Sequence, residues 1–208
     1  MLDRSLRAAL STPLEAVAAT LDRPFITPDR LTVAGLVLGL ASAGAAAAQW
    51  WAAAVALWLV SRVADGLDGT LARRRRAHGR GNDSEAGGFL DIAADFVVYG
   101  AGVFGVAWGA SAAFDAPWWP FLLVLLTYYV NGTAFLAFSS IAERTGRQVD
   151  DGRSLSFLGR IAEGTETIAV HTLWLILPFW AWQIALVWSL FVAVSAVQRI
   201  VAGYRLLR

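Results

Sequence analysis

Six apolar stretches, near residues 31–48, 50–71, 87–110, 117–139, 160–180 and 182–203, decide what this chain can fold into. Each is close to the roughly 20 helical residues that cross a hydrocarbon core of about 30 Å. In lipid a segment must satisfy its own backbone polar groups, so each is read as a helix rather than a lone strand. Composition agrees: 57% of the 208 residues are hydrophobic and mean hydropathy is +0.55, too apolar for a soluble domain of this length. The fold class that follows is an all-α integral membrane protein, a single domain over residues 1–208 with six transmembrane helices. The absence of cysteine excludes disulfides and thiolate metal sites. Without an apolar stretch near the amino terminus, no cleaved signal peptide is expected. No nucleic-acid partner is expected either.

A net charge of +1 conceals a strong asymmetry. There is no lysine, and the 17 basic residues are all arginine. They fall in the amino-terminal arm (Arg4, Arg7, Arg23, Arg30), around the second connection (Arg62, Arg73 to Arg76, Arg80), in the fourth connection (Arg144, Arg147, Arg153, Arg160) and at the carboxyl end (Arg199, Arg205, Arg208). The other connections carry none, and Asp115 is nearly their only charge. By the positive-inside rule both termini and the even connections are cytoplasmic. Arg74 to Arg76 read as topology determinants meeting anionic lipid, so Arg75→Ala is expected to be nearly silent.

The arm over residues 1–25 precedes the first span. Leu2, Leu6, Leu10, Leu14, Val17 and Leu21 recur at helical spacing, opposite Asp3, Arg4 and Arg7. That pattern predicts an amphipathic interfacial helix. Thr27 then suits an N-cap and Pro28 the first helical position, so the first span starts sharply.

The chemistry concentrates between Asp65 and Asp95. Asp65 and Asp68 stand at i, i+3 near the end of the second span; Gly87, Asp91 and Asp95 stand at i, i+4, i+8 at the start of the third. Each set lies on one helical face. If a short connection makes the helices antiparallel neighbours, all four carboxylates converge just inside the cytoplasmic boundary. Each costs about 2.5–3.5 kcal/mol in a membrane helix, and the four repel one another. A hard divalent cation with oxygen ligands, Mg²⁺ or Mn²⁺, relieves both. A water-facing charge cluster and an ion-transport site are the alternatives. A transporter favours acids near the midplane and broken helices, whereas these acids sit at one end.

Gly69 and Gly87 each cost about 1 kcal/mol of helix propensity relative to Ala, a cost that makes sense where something approaches the backbone closely. A nucleotide beside a metal is a suitable guest, with Arg73 able to pair with its phosphates. Gly35-xxx-Gly39 and Gly105-xxx-Gly109 read instead as close helix packing.

The run Asp65-Gly-Leu-Asp68-Gly69-Thr-Leu-Ala72-Arg73, followed by Gly87-xxx-Asp91-xxx-Asp95, resembles the signature of the CDP-alcohol phosphotransferases. Thr27-Pro28-Asp29-Arg30-Leu31-Thr32 resembles the start of that family's first helix. The resemblance covers nearly the whole chain and looks nearest to a bacterial inner-membrane branch. It implies transfer of a phosphatidyl group from CDP-diacylglycerol to a small alcohol, release of CMP, and a homodimer. It assigns Asp65, Asp68 and Asp91 to metal, Asp95 to both metal and general base, and Gly69, Ala72, Arg73 and Gly87 to the nucleotide. One departure stands out. Thirteen residues, 74–86, separate Arg73 from Gly87, against the family's usual eight or nine. They read as part of an enlarged cytoplasmic loop over 73–86, with Asp83 or Ser84 capping the third span.

The acceptor is expected between the metal site and the cytoplasmic ends of spans five and six. Arg160 and Arg199 could clamp a phosphorylated polyol such as glycerol 3-phosphate, whereas Glu163 and Glu166 suit plain hydroxyls or an amino alcohol. A mutually paired interfacial cluster is the plain alternative for these four. His171, deeper in the fifth span, reads as a packed core residue.

Overall fold

The computed structural model describes residues 2–80, 85–146 and 164–208, with side chains from Thr12 onward. Among them the structure is helical throughout: α1 (Leu2–Leu21), α2 (Pro28–Ala47), α3 (Trp51–Ala77), α4 (Glu85–Phe114), α5 (Trp119–Arg144), α6 (Gly164–Ile176) and α7 (Ala181–Leu207). A 3₁₀ turn, Pro178–Trp180, joins the last two and forms the tight hairpin expected at Pro178. Among the described residues four segments are long and apolar enough to cross a membrane: Pro28–Ala47, Glu85–Phe114, Trp119–Arg144 and Pro178–Leu207. The other two expected spans coincide with α3 and α6. Helix α3 carries Arg62, Asp65 and Asp68 in its apolar half, and α6 has 13 described residues.

Helix α2 begins as its sequence dictates. Thr27 Oγ1 accepts the Arg30 N–H at 3.3 Å and Pro28 opens the helix. Its small residues then set the packing. A Cβ at Gly35 would press on the Ser61 carbonyl of α3; Cβ atoms at Gly105 and Gly109 would overlap the carbonyls of Ala43 and Ala46. These glycines are therefore where the helices touch, as their spacing predicts. Ser61 Oγ seals the α2–α3 contact by donating to the Gly35 carbonyl at 2.7 Å.

This packing corrects the expected neighbourhood. Helices α3 and α4 pack chiefly on α2 rather than on each other. The close approach that glycine permits draws both helices onto α2, which stands between them as a shared neighbour. Helix α5 pairs with α7, and α6 rests mainly on α3.

An aromatic box fills the centre. His171 is 2% exposed and stacks on Trp58 at 5.1 Å, with Tyr99, Tyr128 and Trp174 around it. Trp188 Nε1 donates to the Tyr128 hydroxyl at 2.7 Å, and that hydroxyl lies 3.1 Å from His171 Nε2. Indole can only donate, so the tyrosine has its own proton left for Nε2. His171 is a core residue with a settled partner, as expected.

The arginine run behaves differently from its sequence reading. Helix α3 continues through Arg73 to Arg76 and ends at Ala77, with Gly79 in the left-handed region at φ +66°, so the connection begins after residue 77 rather than at 73. Arg75 is tied within the protein. Its guanidinium donates to Asp22 Oδ1 at 3.0 Å and to the carbonyls of Arg23 and Ile26 at 2.9 and 2.8 Å. Arg80 donates to Asp22 Oδ2 at 2.8 Å. The hydrogen bond from Arg75, then that from Arg80, holds the Asp22 carboxyl below its ordinary value. The latch is therefore complete above the ordinary carboxylate range and is lost only as pH falls through the depressed value.

This tie fixes the α1–α2 connection to the end of α3, while Leu14 of α1 faces Gly66. Arg75→Ala is thus expected to loosen the connection, since three hydrogen bonds from one guanidinium are lost together. Limited proteolysis across residues 22–30 should show faster cutting in the variant. Parental protection would show that the latch contributes nothing. The expected cap at Asp83 or Ser84 and the charges Arg147, Arg153, Arg160 and Glu163 lie outside the described residues.

Candidate active site

Helices α3 and α4 bring their carboxylates together. One ligand oxygen from each of Asp65, Asp68 and Asp91 lies within 4.8 Å of the other two. Asp68 is 5% exposed and anchored twice: Thr32 Oγ1 of α2 donates to Oδ2, and the Gly69 N–H donates to Oδ1. Asp65 and Asp91 are half-buried. Three converging oxygens with one member held rigidly suit a hard divalent cation.

Asp95 stands beside this trio but outside it. Its Oδ1 accepts Arg62 Nη1 at 2.8 Å, and the same nitrogen lies 3.6 Å from Asp65 Oδ1. Sequence reasoning counted Arg62 only as a topology charge. A charge three residues before Asp65 inside an apolar span was the available signal, since such charges are costly without a task. Thr32 was also missed; its role depends on the α2–α3 packing, which no local pattern announces.

The residues expected to meet a nucleotide lie toward the same end of α3 and α4. A Cβ at Gly69 would meet only the Arg73 guanidinium, at 3.2 Å, and one at Gly87 only Asp29 Oδ1, at 3.3 Å. Unlike the packing glycines, these two face movable side-chain ends rather than backbone. Ala72 is half-buried beside them, and the exposed Arg73 folds back to donate to Thr70 Oγ1 at 3.2 Å.

Of the expected acceptor residues, Glu166 and Arg199 are described. Glu166 sits in the first turn of α6, and its Oε2 is buried without a hydrogen-bond partner among the described residues. Arg199 on α7 is 5% exposed, with its guanidinium carbon 5.4 Å from the Phe135 ring centre. Arg160 and Glu163 lie outside the described residues.

Known proteins resemble this chain. The Escherichia coli K12 inner membrane protein YnjF is 35% identical over 100% of this chain and 98% of its own length. Archaetidylinositol phosphate synthase of Pyrococcus horikoshii is 32% identical over 61% of this chain and 63% of its own. The Mycobacterium tuberculosis phosphatidylinositol phosphate synthase, solved with manganese and citrate, superposes with a TM-score of 0.63 at 26% identity, covering 93% of this chain and 88% of that one. The same enzyme solved with CDP-DAG bound gives 0.66 at 23% identity, over 93% and 92%, a likeness of fold. Residues 25–197, which hold all four aspartates, match the CDP-alcohol phosphatidyltransferase domain, and the chain belongs to that family.

Proposed function

We propose that this membrane protein transfers a phosphatidyl group from CDP-diacylglycerol to a phosphorylated polyol, releasing CMP. The observation that carries the reading is the convergence of Asp65, Asp68 and Asp91 beside Asp95, in a chain of this family. The manganese and the CDP-DAG in the mycobacterial relative's structures support the metal and the donor.

In this reading Asp65, Asp68 and Asp91 hold a divalent ion, Mg²⁺ or Mn²⁺. When bound, the ion neutralises the pyrophosphate and stabilises the charge that develops on departing CMP. Gly69, Ala72 and Gly87 leave room for the nucleotide against the helix backbones, and Arg73 meets its phosphates. Thr32 and the Gly69 N–H keep Asp68 from turning away. Asp95 accepts the proton of the acceptor hydroxyl as that oxygen attacks the lipid-bearing phosphorus.

The proposal includes six spans, α2 to α7, with α1 lying on the cytoplasmic leaflet and both termini inside. Two features support that sidedness. The arginines gather at one end of the helices, and Trp50, Trp118, Trp119 and Trp180 are exposed at the other, as in an interfacial aromatic belt. A homodimer, as the family resemblance implies, completes the proposal.

A polyol phosphate is favoured over an uncharged or amino alcohol by the products for which two relatives are named. Arg199 supplies a cation at the proposed pocket, and Glu166 an acceptor for polyol hydroxyls. A screen of labelled CDP-diacylglycerol against glycerol 3-phosphate, inositol phosphate, inositol and serine tests this, with a phosphorylated polyol expected to give labelled product fastest. Arg199→Ala and Glu166→Gln are each expected to raise the acceptor KM about tenfold, one lost polar contact, with the donor KM little changed. Unchanged acceptor kinetics in both variants would move the pocket elsewhere.

A further inference from the structure

Arg62 stands inside this site, and the reaction as proposed gives it no part. It is 8% exposed and held on several sides. Nη2 donates to Ser61 Oγ at 3.1 Å, and that hydroxyl is itself fixed on the Gly35 carbonyl of α2. The guanidinium carbon lies 5.0 Å from the Trp58 ring centre and 5.3 Å from that of Tyr99. Trp58 is anchored in turn, its Nε1 donating to Thr172 Oγ1 of α6 at 2.9 Å. A planar guanidinium beside aromatic rings makes a favourable and orienting contact. Nη1 then meets carboxylates of two helices, Asp95 Oδ1 on α4 at 2.8 Å and Asp65 Oδ1 on α3 at 3.6 Å. One immobilised cation therefore joins two site-bearing helices whose direct packing on each other is slight.

We propose that Arg62 is a positioning residue that ties Asp95 to Asp65 across α3 and α4 and offsets part of the site's negative charge until the divalent ion binds. The proposal rests on the reading of these aspartates as the metal centre. Carboxylates drawn together within a helix bundle repel one another, and each is costly there without a counter-charge. Arg62 supplies that charge from inside the protein, at the meeting point of the two helices that carry the aspartates. Its fork and flat face let it engage hydroxyl, rings and both carboxylates at once, which a lysine could not do. Asp65 and Asp95 each keep a second oxygen to offer the ion, which then takes over the larger share of the charge. Removing Arg62 should therefore cost most when no ion is bound.

Thermal unfolding of the purified full chain in detergent, followed by the fluorescence of its 10 tryptophans in EDTA and in saturating Mn²⁺, tests this without relying on turnover. Arg62→Gln is expected to lower the midpoint in EDTA by at least about 5 °C, the scale of a buried ion pair left with one partner. Mn²⁺ should return most of that loss, so the ion raises the midpoint further in the variant than in the parent. An arginine with a packing role alone would lower both midpoints alike. In EDTA, adding Asp95→Asn to Arg62→Gln is expected to raise the midpoint, because the amide removes the charge that Arg62 no longer meets; in the parent the same change brings no such gain. A double variant no more stable than Arg62→Gln, or an Mn²⁺ gain no larger than the parent's, overturns the proposal. Should Arg62→Gln not fold in EDTA, folding regained with Mn²⁺ or with Asp95→Asn supports the tie, and failure of both overturns it. A parent midpoint that Mn²⁺ leaves unmoved overturns the metal reading, while the comparison in EDTA tests the tie by itself.

Discussion

Asp95→Asn is expected to lower turnover by about 10²–10⁴-fold, the usual cost of losing a general base. The substitution keeps the shape of the side chain and an oxygen for Arg62, but an amide cannot take the hydroxyl proton. The three clustered carboxylates are untouched, so the KM for CDP-diacylglycerol should stay near the parental value. Loss confined to kcat is the signature of a group acting in the transition state. Steady-state CMP release at varied donor concentration separates the two constants. Turnover like the parent's would remove Asp95 from the chemistry.

Chelation should have an effect at least as large. Asp65, Asp68 and Asp91 bring three carboxylate oxygens within 4.8 Å of one another. Without a cation they repel each other and the donor's pyrophosphate, and the several kcal/mol that a metal contributes to phosphoryl transfer is absent. Exhaustive EDTA treatment is expected to take CMP release to background, and Mg²⁺ or Mn²⁺ to restore it. Full activity after chelation would show that the carboxylates serve something else.

Much of this was legible from residue spacing. The i, i+3 pair Asp65 and Asp68 and the i, i+4 pair Asp91 and Asp95 could be placed on helical faces because a membrane span leaves no other backbone option. Gly105 and Gly109 could be assigned to packing for the same reason, and their contacts with Ala43 and Ala46 agree. What spacing could not give was partnership across helices. That α2 lies against both α3 and α4 follows from where small residues meet, not from the length of the connection between α3 and α4. Arg75 looked like one of a run of topology charges, yet it reaches Asp22, 53 residues earlier in the chain. Arg62 belonged by position to the same class, and only the arrival of Asp95 from α4 gives it a task. Arginine is long enough for either use, so its sequence position alone does not distinguish lipid from ligand.

The most direct measurement supplies purified protein in nanodiscs with CDP-diacylglycerol, Mn²⁺ and a phosphorylated polyol, and follows CMP and lipid product together. Phosphatidyl transfer predicts CMP formed in equal amount with a new phospholipid, dependent on both acceptor and metal, and lost in Asp68→Asn. Folded, Mn²⁺-binding protein that yields no CMP with any alcohol acceptor would contradict it.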